Sequence, residues 1–313
     1  MELFPHNSKI DFMKWRKPSM VVMGLLLLVS IISFPTRGLN FALDFTGGAL
    51  VELKFEKPAD LERVRKTLSD TGIENAVVQS IGSDDTEVVI RLRSGKAKSS
   101  TDMMGTTVLE ALQSSENPVS VTRSDFVGPQ VGNELAQQGI LAVLFVGIGF
   151  LAYITLRFEV KFAIAAIATT MHDVVVTTGF FSVTQHEFDL NVLAGVLSVM
   201  GFSINDTIVV FDRVRENFRT VHNITPYDLL NRSINQTLSR TVITSFVAFL
   251  TVLALYIFGG GPLQNMAVSL MIGIVIGTVS SIFIACPLLL WLGVSRTDLL
   301  PRARDTSDLE RRP

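Results

Sequence analysis

The chain has 313 residues, a net charge of −2 and a mean hydropathy of +0.42, with 48% of its residues hydrophobic. That composition excludes an ordinary soluble enzyme, and the near balance of 27 basic and 29 acidic residues gives no bulk attraction to nucleic acid. One cysteine, Cys286, excludes an internal disulfide, and four scattered histidines offer no metal-ligand spacing.

Residues 1–17 read as a basic tail, followed by a first apolar run over 18–34. The run is long and ends SFPTRG without a small-x-small cleavage site, so it is expected to be an uncleaved anchor rather than a signal peptide. Residues 35–136 have soluble composition. Alternation at 49–55 marks a strand, and 58–71 reads as a helix with Leu61, Val64 and Leu68 on one face and Gly72 after its end. Strand-like runs at 75–81 and 86–92, a helix at 102–113 and a strand near 118–127 complete a βαββαβ order. This predicts a small α+β, ferredoxin-like domain. It contains no histidine and is too small for an enzyme core, so binding, leverage or a passive spacer role is expected of it.

Five further apolar runs follow within 137–292, at roughly 137–156, 162–183, 189–211, 238–258 and 264–292, each long enough for a bilayer helix. The fold class is therefore a polytopic α-helical membrane protein with six transmembrane helices and one outward α+β domain. A connection near 212–237 carries the N-cap and proline pair Thr225–Pro226, with Leu229, Leu230 and Ile234 expected along the membrane surface. Residues 293–313 form the last tail.

Lys and Arg orient the bundle. Lys9, Lys14, Arg16 and Lys17 precede the first span. Arg157 and Lys161 follow the second, and Arg213, Arg215, Arg219, Arg232 and Arg240 follow the fourth. Arg296, Arg302, Arg304, Arg311 and Arg312 follow the sixth, while the turns near 184–188 and 259–263 carry none. Both termini are expected to be cytoplasmic, with the α+β domain outside.

Charge inside a span is costly and marks function. Asp206, in GFSIND with Ser203 and Asn205, sits roughly 7–8 Å from the cytoplasmic end of the fourth span, and Arg240 roughly 9 Å into the fifth. The two are expected to pair, which offsets their desolvation. The arginine keeps its charge while the aspartate can lose its own, as a proton carrier requires. A static clamp, with Arg240 reaching the headgroups, is the structural alternative. His172 and Asp173, mid-span in TTMHDVVVTT, read as relay or support positions. An intramembrane protease built on an Asp173–Asp206 dyad or a Ser203–His172 pair lacks any matching flanking motif, so no enzyme is expected. Gly273, Gly277, Ser281 and Ala285 repeat at four-residue spacing, as close helix packing in lipid needs.

Several motifs resemble the SecD/SecF family of bacterial export membrane proteins, on the side of the smaller member, SecF. They are LDFTGG at Leu43–Gly48, FVGP at Phe126–Pro129, the His172–Asp173 pair, GFSINDTIVVFDRVRENFR at Gly201–Arg219 and QTLSRTVITS at Gln236–Ser245. The resemblance covers almost the whole chain. It implies membership of the resistance–nodulation–division superfamily and a location in the bacterial inner membrane. It implies pairing with SecD, association with the SecYEG channel and YajC, and handling of a translocating preprotein under the proton-motive force, with membrane lipid around it and no cofactor or metal. It also implies proton conduction at Asp206 and Arg240. Asp44, Gly47, Gly48, Phe126, Gly128 and Pro129 carry the remaining motifs, and Gly47 and Gly48 are expected either to hinge the outward domain or to form an ordinary turn. A proton-coupled exporter of small molecules or lipids, and a non-transporting scaffold, are the competing readings. Na⁺ in place of H⁺ stays open.

Overall fold

The computed structural model describes residues 10–71, 73, 76–81, 86–93, 101–113, 117–295 and 298. Gly72, Lys9 and the arginines 296, 302, 304, 311 and 312 lie outside the described residues. In chain order, a 3₁₀ turn at Met13–Trp15 opens helix α1 (Arg16–Arg37). It is followed by β1 (Asn40–Phe41), the single turn α2 (Leu43–Thr46), β2 (Gly48–Phe55), α3 (Leu61–Asp70), β3 (Val77–Ile81) and β4 (Glu87–Arg93). Then come α4 (Thr101–Leu112), β5 (Val119–Val127), α5 (Pro129–Arg157), α6 (Val160–Thr184), β6 (Glu187–Phe188), α7 (Leu190–Thr220) and α8 (Pro226–Phe258). The last span is α9 (Gly261–Ser280), a π turn at Ser281–Ala285 and α10 (Cys286–Trp291).

Two compact units result: a helical one (Met1–Leu39, Phe145–His186 and Asn191–Pro313) and an α/β one (Asn40–Leu144 with Glu187–Leu190). In the α/β unit the strands order β3-β4-β2-β5, every pair antiparallel. Two interleaved βαβ crossings give this order, the expected ferredoxin-like arrangement. Alternation puts Val51, Leu53 and Ile90 on the helix-covered face with Val64, Leu68 and Val108, all buried. Asp60 caps α3 by accepting from the N–H groups of Glu62 and Arg63 at 3.0 and 3.2 Å.

Among the described residues six helices are long and apolar enough to cross a membrane, and the first half of one of them, α5, belongs to the α/β unit. They exceed their hydropathy windows because charged and amide-rich turns extend them. The expected connection near 212–237 is built largely of helix. It is mostly the end of α7 and the start of α8, with only residues 221–225 between them. Thr225 does cap α8, accepting from Asp228 N–H at 3.1 Å, with Pro226 in the first turn. Leu229, Leu230 and Ile234 do not lie on a membrane surface. They are at most 2% exposed and pack into the core with Phe211 and Phe162. That burial is possible because α7 and α8 run alongside one another to the end of the hairpin, where Asn217 Nδ2 donates to Ser233 Oγ at 2.8 Å and Gln236 Oε1 at 2.9 Å.

Small residues let the inner helices approach closely. A Cβ on Gly179 would stand 2.2 Å from Ser30 Oγ, and one on Gly273 would stand 2.0 Å from a methyl of Val199. These contacts close α1 on α6 and α9 on α7.

Candidate functional site

Most buried polar groups of the helical unit lie on α6, α7, α8 and α9. Asp173, fully buried, is the centre of one cluster. Its Oδ2 accepts from Ser203 Oγ of α7 at 2.5 Å and from Ser280 Oγ of α9 at 2.6 Å, and its Oδ1 lies 2.9 Å from His172 Nδ1. The other ring nitrogen of His172 lies 3.2 Å from the main-chain oxygen of Met23 on α1. One carboxylate and one imidazole thus tie four helices together. The π turn begins directly after Ser280, a local widening common where a helix serves a site.

Asp206 lies one turn from Ser203 on the same helix and is 2% exposed. Among the described residues its hydrogen bond comes from Ser245 Oγ of α8 at 3.3 Å, and Ser245 in turn accepts from Thr278 Oγ1 of α9 at 2.8 Å. The two clusters therefore share α7 and α9.

The expected contact between Asp206 and Arg240 is not formed. Arg240 acts electrostatically on the carboxylate, yet no ion pair joins them within 4.0 Å, and Arg240 is exposed. The register of the antiparallel hairpin explains this. Asn217 faces Ser233, so Asp206 faces Ser245, and Arg240 lies five residues away, about 7.5 Å along the axis and about 140° around it. Counting from the hairpin ends at Thr220 and Pro226 gives 14 residues for each, which is why depth alone suggests one level, but the register sets Arg240 nearer the hairpin turn than Asp206. Residue counting fixes neither the register of the two helices nor the face a side chain takes.

Asn205 is also outward. It continues an exposed stripe of α7 through Ala194, Ser198 and Gly201. A row of small residues ending in an amide is suited to a close-packed neighbouring helix.

The remaining motif residues meet in the α/β unit. Asp44 Oδ2 accepts from the N–H of Leu190, the first residue of α7, at 3.1 Å. Gly47 (φ 64°) and Gly48 (φ 133°) take backbone conformations that L side chains rarely adopt. A Cβ on Gly47 would stand 3.0 Å from Pro129 Cα, and one on Gly48 2.3 Å from the Leu92 carbonyl oxygen. Phe126, one residue before the end of β5, lies opposite Ala49, Gly128 follows the strand, and Pro129 opens α5. LDFTGG and FVGP are therefore two halves of one packed corner.

Sequence reasoning missed Ser280, Thr278, the Met23 carbonyl and the Arg91–Glu187 ion pair of 2.5 Å. Ser280 carried only a faint signal, one residue off the Gly273–Gly277–Ser281 stripe. The ion pair joins residues 96 apart and carried none. No group of three or more His, Cys, Asp or Glu among the described residues is arranged to hold a metal ion.

Comparison with known proteins fits this architecture. The family model described as "Protein export membrane protein SecD/SecF, C-terminal" matches residues 107–295, and the "SecD/SecF GG Motif" matches residues 32–59. The protein translocase subunit SecF of Pseudomonas aeruginosa is 45% identical over 302 residues, 96% of this chain and 97% of that one. SecF of Vibrio alginolyticus is 43% identical over 96% of this chain and 95% of its own. Crystallised SecDF from Thermus thermophilus superposes with a TM-score of 0.82 at 34% identity, covering 93% of this chain. This chain spans 40% of that longer one. SecDF in a form described as super-membrane-facing matches at 0.65 and 33% identity, covering 92% of this chain and 39% of that one. These proteins are transport components rather than enzymes. The chain is a multi-pass membrane protein that belongs to the SecD/SecF family of protein export membrane proteins, on its SecF side.

Proposed function

We propose that this chain works with SecD in the bacterial inner membrane and uses the proton-motive force to advance preproteins leaving the SecYEG channel, with YajC in the same assembly. The observation that carries the reading is Asp206, a carboxylate buried in a membrane helix and held by one long hydrogen bond rather than by a cation. Such a group changes charge at low reorganisation cost, because only Ser245 and Thr278 need to turn. One charge moved through 100 mV supplies about 2.3 kcal/mol, enough to bias a two-state helix arrangement. Asp206 is the proton carrier in this reading. His172 and Asp173 are support, since Asp173 already accepts from two serines.

Arg240 and Asn205 face outward from a membrane helix, where an unpaired polar group is costly. SecD is the occupant that resolves this, packing on the Ala194–Asn205 stripe and bringing Arg240 into an enclosed site. Both termini are then cytoplasmic and the α/β domain periplasmic, as the Lys and Arg distribution requires.

Export of a reporter preprotein in cells carrying Asp206→Asn tests the reading. The variant keeps shape and removes the titrating group, so export is expected to fall to the level of cells lacking the protein. Normal export would leave a scaffold. Impaired efflux of small molecules with normal export would point to an exporter.

A further inference from the structure

Beyond Leu238 the buried side chains of α8 are Thr241 and Ser245 alone. With Ser233 and Thr237 they make a row of hydroxyls at four-residue spacing, with exposures of 0%, 6%, 1% and 6% in chain order. The row leads from Asp206, which Ser245 meets, to the hairpin end, where Ser233 accepts from Asn217. Between Asp206 and Asn217, α7 buries the apolar Val210, Phe211 and Val214, each at most 1% exposed. Hydroxyls within a helix often turn back on the carbonyl one turn earlier. Ser233 does so to Leu229 at 2.8 Å, and Thr237 to Ser233 at 3.1 Å. Thr241 does not. Its Oγ1 is buried and, among the described residues, has no hydrogen-bond partner. Valine has nearly the same shape and would occupy this position without burying an unmet hydroxyl. A hydroxyl here calls for a polar occupant. Four residues rise about 6 Å along the helix, and one water spans about 5.5 Å with two hydrogen bonds of ordinary length. Ser245 donates to Asp206 and accepts from Thr278, which leaves it one lone pair. Thr237 donates and keeps its acceptor capacity. A water between Thr241 and either neighbour thus finds the two polar partners that a buried water needs.

We propose that Thr241 binds a water at the middle of this row, and that Ser233, Thr237, Thr241 and Ser245 position the waters through which Asp206 exchanges its proton with the hairpin end of α7 and α8. That end is the cytoplasmic side in the topology given above. The proposal rests on the reading of Asp206 as the proton carrier. Protonated Asp206 gives its proton to the water on Ser245, each water passes one proton on, and the solvent receives one. Asp206 is left as a carboxylate, and every hydroxyl ends with the proton count it began with. The apolar residues of α7 keep the waters in single file along α8.

The test uses the full chain assembled with SecD in sealed vesicles, with flux normalised to assembled protein. Thr241→Val should melt no lower than wild type, since it removes no hydrogen bond between protein groups, while proton flux falls about fivefold, the worth of one hydrogen bond to a water. Thr241→Ser should restore flux. Thr155→Val, the same exchange on the exposed face of α5, should conduct as wild type. Radiolytic hydroxyl labelling, which marks side chains beside bound water, should mark the surroundings of Thr241 in wild type and in Asp206→Asn but not in Thr241→Val. Three results would overturn the row: wild-type flux in Thr241→Val, flux lost equally in Thr241→Ser, or no labelling around Thr241 in wild type. Undiminished flux in Asp206→Asn, with labelling at Thr241 intact, would overturn the carrier reading instead.

Discussion

The two units are built on opposite plans. The α/β unit has an apolar interior of Val51, Leu53, Leu68 and Ile90 between sheet and helices, with the ion pairs Lys54–Glu87 and Arg123–Asp125 exposed. The helical unit shows water-avoiding surfaces outward: Ile148, Phe145 and Leu156 of α5 are 64%, 74% and 88% exposed. Inside it buries Asp173, Asp206, His172 and a row of serines and threonines. In water, burial of apolar area holds a fold together. In lipid that drive between helices is absent, and close backbone approach and hydrogen bonds hold them instead. The same division separates α6, α7 and the span of α9 and α10, about half buried over their most apolar stretch, from α1, α5 and α8, whose apolar stretches are mostly exposed. The site lies where the buried helices meet.

Substitutions test the contrast. Ile90→Ala, at a position with no exposure, should cost the α/β unit about 3 kcal/mol in denaturant unfolding. Ile148→Ala should change the stability of the purified protein by no more than about 0.5 kcal/mol. Equal effects would erase the distinction between the two plans.

Asp173→Ala should destabilise the helical unit by about 2 kcal/mol, the sum of a few membrane hydrogen bonds. It should also raise hydrogen exchange around Met23, Ser203 and Ser280 together, since all three meet at this carboxylate. Exchange confined to α6 would show that the junction is not cooperative.

Gly273→Ala should cost about 1–2 kcal/mol, because its new methyl overlaps Val199 on α7. Pairing it with Val199→Ala should recover most of the loss. No recovery would place the strain elsewhere.

The smallest expected effects depend on pH and have opposite signs. Burial pushes the Glu187 carboxyl above its ordinary value of 4.5, Arg91 pulls it back, and Asp189, Asp44 and Glu52 push it further up. The folded form therefore takes up this proton more readily than the unfolded chain, and its contribution to stability grows as pH falls and is lost as pH rises through the folded value. Asp298 behaves the other way. The hydrogen bond from Lys161 holds it below its ordinary 3.8, so its contribution is present above that value and lost as pH falls through the lowered one. Melting curves of Glu187→Gln and Asp298→Asn between pH 7.5 and the acid limit should each lose one of these slopes. A slope unchanged in both variants would rule out these two carboxyls as its source.

Much of the fold was legible because two simple periodicities carry it. Alternation at 49–55 and 86–92 and the spaced Leu61, Val64 and Leu68 gave the βαββαβ domain, and six apolar runs gave the spans. Helix ends were less legible. A hydropathy window sees bilayer thickness, not hydrogen bonding, and so overlooked the helical turns carrying Arg213, Asn217 and Asn231. At the site, sequence depth placed Asp206 and Arg240 at one level but could not give the hairpin register, which turns Ser245 inward and Arg240 outward. Asp44 was visible as part of a motif. Its task was not, because the N–H it caps is 146 residues away and only the fold brings them together.

If Asp206 carries the proton whose movement this chain converts into work, its loss must stop the flow of protons. Proton flux into sealed vesicles containing the chain and SecD, driven by an imposed gradient, reads this out. Wild type should conduct and Asp206→Asn should not, while Arg240→Met should be impaired only if SecD encloses that arginine. Undiminished flux through Asp206→Asn would show that the proton passes without this carboxylate.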